Sequence, residues 1–132
     1  MSQKTAEPQS DQRQLTKMIL VVEDDEGVGV FLVQAISQET PYQALLVTDG
    51  FQALKAVKKM KPDLFILDYQ LPNMNGIDLF DRLHAMEELS GLPAIIMSAR
   101  LPKQEIEKRQ LIGMHKPLEL DELLHTIEDL LS

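Results

Sequence analysis

The sequence predicts an α/β domain, a doubly wound parallel sheet of five strands with helices on both faces and a shortened fourth helix. Three observations predict it. Short continuous apolar runs recur along the chain, as strands buried on both faces do. Amphipathic segments with helical spacing lie between them. Strand and helix therefore alternate, which calls for right-handed crossovers and a parallel sheet.

Residues 1 to 16 are polar, rich in Gln and Ser, and contain Pro8. They are expected to form a disordered arm, with the folded domain over 17–132. Met18 to Val22 is an apolar run that ends at Glu23-Asp24-Asp25. Val28 to Ser37 reads as a helix, with Phe31, Leu32, Ala35 and Ile36 at 3–4 spacing. Ala44 to Thr48 is a short strand, and Gln52 to Lys59 a helix with Ala53, Leu54 and Val57 inward and Lys55, Lys58 and Lys59 in solvent. Asp63 to Asp68 is the third strand. Leu71 to Gly76 is loop chemistry, leading to a helix over about 77–89. Ala94 to Met97 forms the fourth strand, Lys103 to Gln110 one or two helical turns, and Leu111 to His115 a weak fifth strand. Asp121 to Leu131 is the last helix, with Leu123, Leu124, Ile127, Leu130 and Leu131 on one face and Asp121 as its cap.

Composition narrows the function classes. The 132 residues suffice for one domain, and 44% apolar content suffices for one core. The absence of cysteine removes disulfides and thiolate metal sites. No apolar run approaches the ~20 residues of a membrane span, and the N-terminal residues lack the apolar stretch of a secretory signal. A cytoplasmic protein with no membrane partner is expected. A net charge of −8 repels phosphate backbones, so direct nucleic-acid binding is not expected. His84, His115 and His125 match no zinc spacing. Gly27-Val28-Gly29-Val30-Phe31-Leu32 has the first two glycines of a dinucleotide fingerprint but Leu32 in place of the third, and an acidic run precedes it.

In a doubly wound sheet, ligands bind at the carboxyl ends of the strands. Polar residues stand at four of these ends: Glu23-Asp24-Asp25, Asp68, Ser98 and Lys116-Pro117. Carboxylates gathered in one crevice need a cation, and oxygen donors without sulfur select Mg²⁺ before Ca²⁺. One carboxylate can then act as a nucleophile toward phosphorus, with metal, ammonium and hydroxyl neutralising the phosphoryl oxygens.

The runs Ile19-Leu20-Val21-Val22-Glu23-Asp24-Asp25, Leu67 through Gly76, Met97-Ser98-Ala99 and Lys116-Pro117 resemble, in order, the signatures of response-regulator receiver domains. The spacings Asp24 to Asp68 (44 residues) and Asp68 to Ser98 (30 residues) also match. The resemblance spans about Lys17 to the C-terminus and implies a flavodoxin-like, CheY-like fold. It implies Asp68 as phosphoacceptor, with Mg²⁺ (or Mn²⁺) held by Asp24, Asp68, the Gln70 backbone carbonyl and, through water, Glu23. Ser98 would hydrogen-bond a phosphoryl oxygen and Lys116 would pair with the phosphate, oriented by Pro117; Asp25 is peripheral. The implied function is a stand-alone receiver, with no output domain after the last helix. It would be phosphorylated by a histidine kinase or phosphotransfer protein of a two-component system and act on an unidentified downstream protein. It would be no enzyme beyond promoting its own phosphorylation and dephosphorylation, and Gln70 and Arg100 flank the path of a hydrolytic water.

Two departures bear on output. Ser98 to Lys116 is 18 residues, roughly four fewer than the family norm, or about one helical turn. Its remnant helix has one apolar residue, Ile106, and is expected to dock weakly. Gly113 stands where the family commonly carries an aromatic ring that changes position on phosphorylation. Output through another surface, or onward transfer of the phosphoryl group, is the resulting expectation. The alternative function is a receiver-fold interaction module that is never phosphorylated. A phosphatase using an aspartate nucleophile is disfavoured, because Gln70 stands where such an enzyme typically needs an acid.

Overall fold

A computed structural model describes residues 16–132. The arm expected over residues 1–16 lies, Thr16 apart, outside the described residues. The chain runs β1 (Met18–Val22), α1 (Glu26–Glu39), β2 (Gln43–Val47), α2 (Gly50–Ala56), β3 (Leu64–Asp68), α3 (Gly76–His84), a 3₁₀ turn (Glu87–Leu89), β4 (Ala94–Ser98), α4 (Lys103–Arg109), β5 (Ile112–His115) and α5 (Leu120–Leu131). All five strands are parallel, in the order β2-β1-β3-β4-β5.

The central strands are continuous apolar runs because both of their faces are covered. Alternation along β1, β3 and β4 sends Leu20, Val22, Phe65, Leu67, Ala94 and Ile96 to one side, against Ala53 of α2 and Leu79, Phe80 and Leu83 of α3. Ile19, Val21, Leu64, Ile66, Ile95 and Met97 point the other way, against Leu32 and Ile36 of α1 and Leu123 and Ile127 of α5. The largest of these side chains are fully buried. Each is worth about 1.5–3 kcal/mol in water removed from its surface.

Some boundaries and details differ from the sequence reading. α1 begins two residues early, because the Asp25 side chain accepts a hydrogen bond from the Val28 N–H (3.0 Å) and caps it. Phe31 shares the helical spacing of Leu32 but is 55% exposed, at the margin of the buried stripe. α3 ends at His84, because Met86 turns extended before the 3₁₀ turn that buries Leu89. Asp121 is not a cap: Glu119 occupies that position with no side-chain bond, and Asp121 lies in the first turn of α5, where its charge suits the helix dipole. α4 buries no residue fully. An ionic clamp fixes its far end: Arg109 donates from Nε and Nη2 to Asp81 on α3 (2.7 and 2.8 Å) and from Nη1 to Glu105 (2.8 Å).

The fold places the site through its strand order. The chain passes from β1 outward to β2, then returns to the other side of β1 for β3. The crevice above the carboxyl ends of β1 and β3 is the switch point where such sheets bind ligands. Val22 and Leu67 are partners in register, so Glu23 and Asp68 emerge side by side.

Candidate functional site

Glu23 and Asp68 are buried, 1% and 4% exposed, and Asp24 beside them is open to solvent. Oxygens of the three carboxylates lie within 4.8 Å of one another. Lys116, carried past the end of β5 with its N–H bonded to the Ser98 carbonyl (3.0 Å), bridges two of them. Its Nζ donates to Glu23 Oε1 at 2.8 Å and stands 3.2 Å from Asp68 Oδ1. The second Glu23 oxygen accepts the Asp25 N–H at 3.0 Å. Sequence reasoning anticipated this assembly of acids and lysine. It missed the direct pairing of Lys116 with Glu23, a contact across 93 residues of chain.

The electrostatics follow from burial and proximity. Burial pushes the Glu23 carboxyl up and the Asp68 charge adds to this, against the Lys116 and Asp25 hydrogen bonds that favour ionisation. Burial works against the Lys116 ammonium, but the Glu23 hydrogen bond and the Asp68 and Glu23 charges outweigh it and hold the lysine above its ordinary range. The two directions pull opposite ways on one pair. The ammonium charge, at 2.8 and 3.2 Å from two carboxylates, is the firmer of the two.

The loop behind Asp68 is built for close approach. Gly76 lies so near β3 that a Cβ would sit 2.5 Å from the Asp68 carbonyl oxygen. Its N–H donates to the Tyr69 carbonyl (2.8 Å) and closes the loop, while Asn75 caps α3 through the Asp78 N–H (2.8 Å). Asn73 takes the left-handed conformation, with φ of 72°. Gln70 sits in this loop, exposed. These contacts explain why Asn73, Asn75 and Gly76 stand in the loop that sequence analysis read over Leu71–Gly76.

Ser98 is buried at the end of β4, but its hydroxyl is already engaged. Oγ donates to the Arg100 carbonyl (2.9 Å) and accepts the Arg100 N–H (3.0 Å). Asp25 caps α1 through Oδ1 and touches the cluster only through its backbone N–H. His84 stacks on Phe80, with ring centroids 5.0 Å apart. His84, His115 and His125 all fall outside the carboxylate cluster that could hold a metal among the described residues.

Comparison with known proteins decides the family. The family model for the response regulator receiver domain matches residues 19–128. The chain belongs to the response-regulator receiver family. Receivers are signalling modules of two-component and phosphorelay systems, and the fold and acid–lysine arrangement found here accord with that membership. Sporulation initiation phosphotransferase F of Bacillus subtilis is 31% identical over 118 residues, 86% of this chain and 93% of that protein. The polar-differentiation response regulator DivK of Brucella ovis is 28% identical over 122 residues, 89% of this chain and 98% of that protein. The DNA-binding response regulator MtrA of Mycobacterium tuberculosis is 38% identical over 86 residues, 65% of this chain and 36% of MtrA. The chemotaxis protein CheY4 of Vibrio cholerae, 22% identical, shares the fold with a TM-score of 0.80 over 87% of this receiver and 98% of its own chain. No helix among the described residues is long and apolar enough to cross a membrane.

Proposed function

We propose that this receiver accepts a phosphoryl group on Asp68 from a histidine kinase or a phosphotransfer protein, in a reaction that uses Mg²⁺ or Mn²⁺. One observation carries the reading. Asp68 is a buried carboxylate that shares a crevice with Glu23 and Asp24 and faces the Lys116 ammonium. An Asp68 oxygen attacks phosphorus and forms a P–O bond. The bond from phosphorus to the donor nitrogen or oxygen breaks, and the leaving group keeps the electron pair.

The donor set suits a hard divalent cation, because it offers carboxylate oxygens with no sulfur or imidazole. Glu23, Asp24, Asp68 and the Gln70 backbone carbonyl would hold the ion, which supplies positive charge against the phosphoryl oxygens. Lys116 neutralises a further oxygen, and Ser98 donates its hydroxyl once it leaves the Arg100 backbone. The domain promotes its own phosphorylation and dephosphorylation and is otherwise no enzyme. Gln70 and Arg100, both exposed and two residues past Asp68 and Ser98 respectively, would flank the approach of a hydrolytic water. The likeness to a protein named as a phosphotransferase supports onward transfer of the phosphoryl group.

A second reading, an interaction module that is never phosphorylated, draws on the Ser98 hydroxyl being committed to Arg100. Intact-mass measurement with Mg²⁺ and acetyl phosphate separates the two. One added phosphoryl group, lost in Asp68→Ala and after chelation, supports the acceptor. No adduct, together with no binding of beryllofluoride, leaves the silent module.

A further inference from the structure

Cations gather at one place on this acidic chain. Residues 50 to 62 carry four lysines and no acid, although the whole chain has a net charge of −8. Lys55, Lys58, Lys59 and Lys61 are exposed, and none is in an ion pair among the described residues. Lys108, Arg109 and Lys116, by contrast, each meet a carboxylate.

The lysines border a cleft. It lies between the end of α2 and the 3₁₀ turn, with a volume of about 460 Å³. Val57, Met86 and Leu89 form its apolar floor, Lys58 and Lys61 stand on its rim, and Glu88 is the acid among its lining residues. Helical spacing extends the cationic border on both banks: Lys55 lies three residues before Lys58, and Arg82 of α3 one turn before Met86. Arg82 is exposed and is also in no ion pair among the described residues. The cleft opens where β3 begins, at the other end of that strand from Asp68, so an occupant leaves the crevice free.

Charge and floor together define the occupant. The apolar floor calls for apolar side chains, and the unpaired cations around it call for carboxylates beside them. An extended polyanion, such as a membrane surface or a nucleic-acid duplex, would bring the rest of this acidic chain against its own charge. A short acidic segment meets only the charges within a Debye length, about 8–10 Å.

We propose that the cleft between α2 and the 3₁₀ turn docks an acidic amphipathic helical segment of a partner protein. The apolar face of that segment covers Val57, Met86 and Leu89, and its carboxylates pair with Lys55, Lys58, Lys61 and Arg82. The inference stands on this surface and does not rest on Asp68 as the acceptor.

The test titrates the full chain, with ¹³C-labelled Met methyl groups, with a synthetic helical peptide carrying Glu on one face and Leu on the other. Fluorescence anisotropy of the labelled peptide gives the affinity, and the methyl signals locate the contact. Binding is expected to move Met86, to leave Met97 in the core on the opposite side of the sheet unmoved, and to weaken as salt is raised. Lys58→Glu combined with Lys61→Glu is expected to weaken binding about tenfold or more. Lys103→Glu combined with Lys108→Glu changes the net charge equally on α4 and is expected to alter binding by less than about twofold. No peptide binding, an unmoved Met86 methyl, or equal losses from the two charge reversals overturns the inference. Tighter binding to phosphatidylglycerol vesicles or to duplex DNA than to the peptide, in the same buffer, overturns it as well.

Discussion

Replacing Lys116 with methionine separates the lysine's two loyalties. Its ammonium lies 2.8 Å from Glu23 Oε1 and 3.2 Å from Asp68 Oδ1, carboxylates proposed to hold the metal. A unit charge pair at about 4 Å is worth about 4 kcal/mol at an effective dielectric of ~20. Lys116 is a quarter exposed, so solvent screening reduces the net term to about 1–2 kcal/mol. The lysine and a divalent cation compete for the same negative charge. Lys116→Met is therefore expected to lower the Mg²⁺ dissociation constant about tenfold, the equivalent of ~1.4 kcal/mol. The variant also leaves Glu23 buried without its partner, which is expected to cost the metal-free fold about 2 kcal/mol. Saturating Mg²⁺ is expected to restore that loss by binding the folded state alone. Isothermal titration with Mg²⁺ and urea unfolding with and without the ion measure both effects. An unchanged or weaker Mg²⁺ affinity would refute the reasoning, because lysine and metal would then not share these carboxylates.

Other expectations follow from named contacts. A double-mutant cycle with Arg109→Ala and Asp81→Ala, read by urea unfolding at neutral pH, is expected to give a coupling of about 0.5–1 kcal/mol, since the geometry is bidentate but Asp81 is half exposed. The Arg109 hydrogen bond holds Asp81 below its ordinary 3.8. The coupling is therefore expected to be fully present above the usual carboxylate range and to fade as pH falls through the lowered value, with no change between about pH 6 and 8. Gly76→Ala forces a Cβ against the Asp68 carbonyl at 2.5 Å; thermal unfolding is expected to show a loss of about 1–3 kcal/mol, and acetyl phosphate labelling a slower rate. Asp25→Ala removes the α1 cap and is expected to cost about 1 kcal/mol in urea unfolding, while the phosphoryl adduct still forms.

The sheet was legible because strands covered on both faces leave an unmistakable trace. Leu20 and Ile19, or Phe65 and Leu64, are apolar neighbours that serve opposite cores. The positions of Glu23, Asp68 and Lys116 were legible for the same reason, since parallel strands in one sheet bring their carboxyl ends to one edge. Features decided by tertiary contact were not legible. The residues after His84 are compatible with helix, yet the chain turns extended at Met86 and buries Leu89 in the 3₁₀ turn that follows. Phe31 and Leu32 carry the same apolar signal, and the position of the helix on the sheet leaves one outside. The Ser98 hydroxyl bonds to the Arg100 backbone, a local arrangement that no spacing encodes. Leu101 and Ile106 come within 3.0–3.2 Å of where a Cβ on Gly113 would lie, a closeness set by the placement of a short helix, and sequence alone registered only a missing side chain.

The central claim concerns one oxygen of one residue, so the most direct measurement locates the phosphoryl group. The protein is treated with Mg²⁺ and acetyl phosphate, reduced with borohydride to convert any aspartyl phosphate to homoserine, digested, and sequenced by mass spectrometry. Homoserine at position 68, with Asp24 and Asp25 intact and no conversion in a chelated sample, is the predicted result. Homoserine at Asp24 or Asp25, or conversion that persists without a divalent metal, would contradict the account.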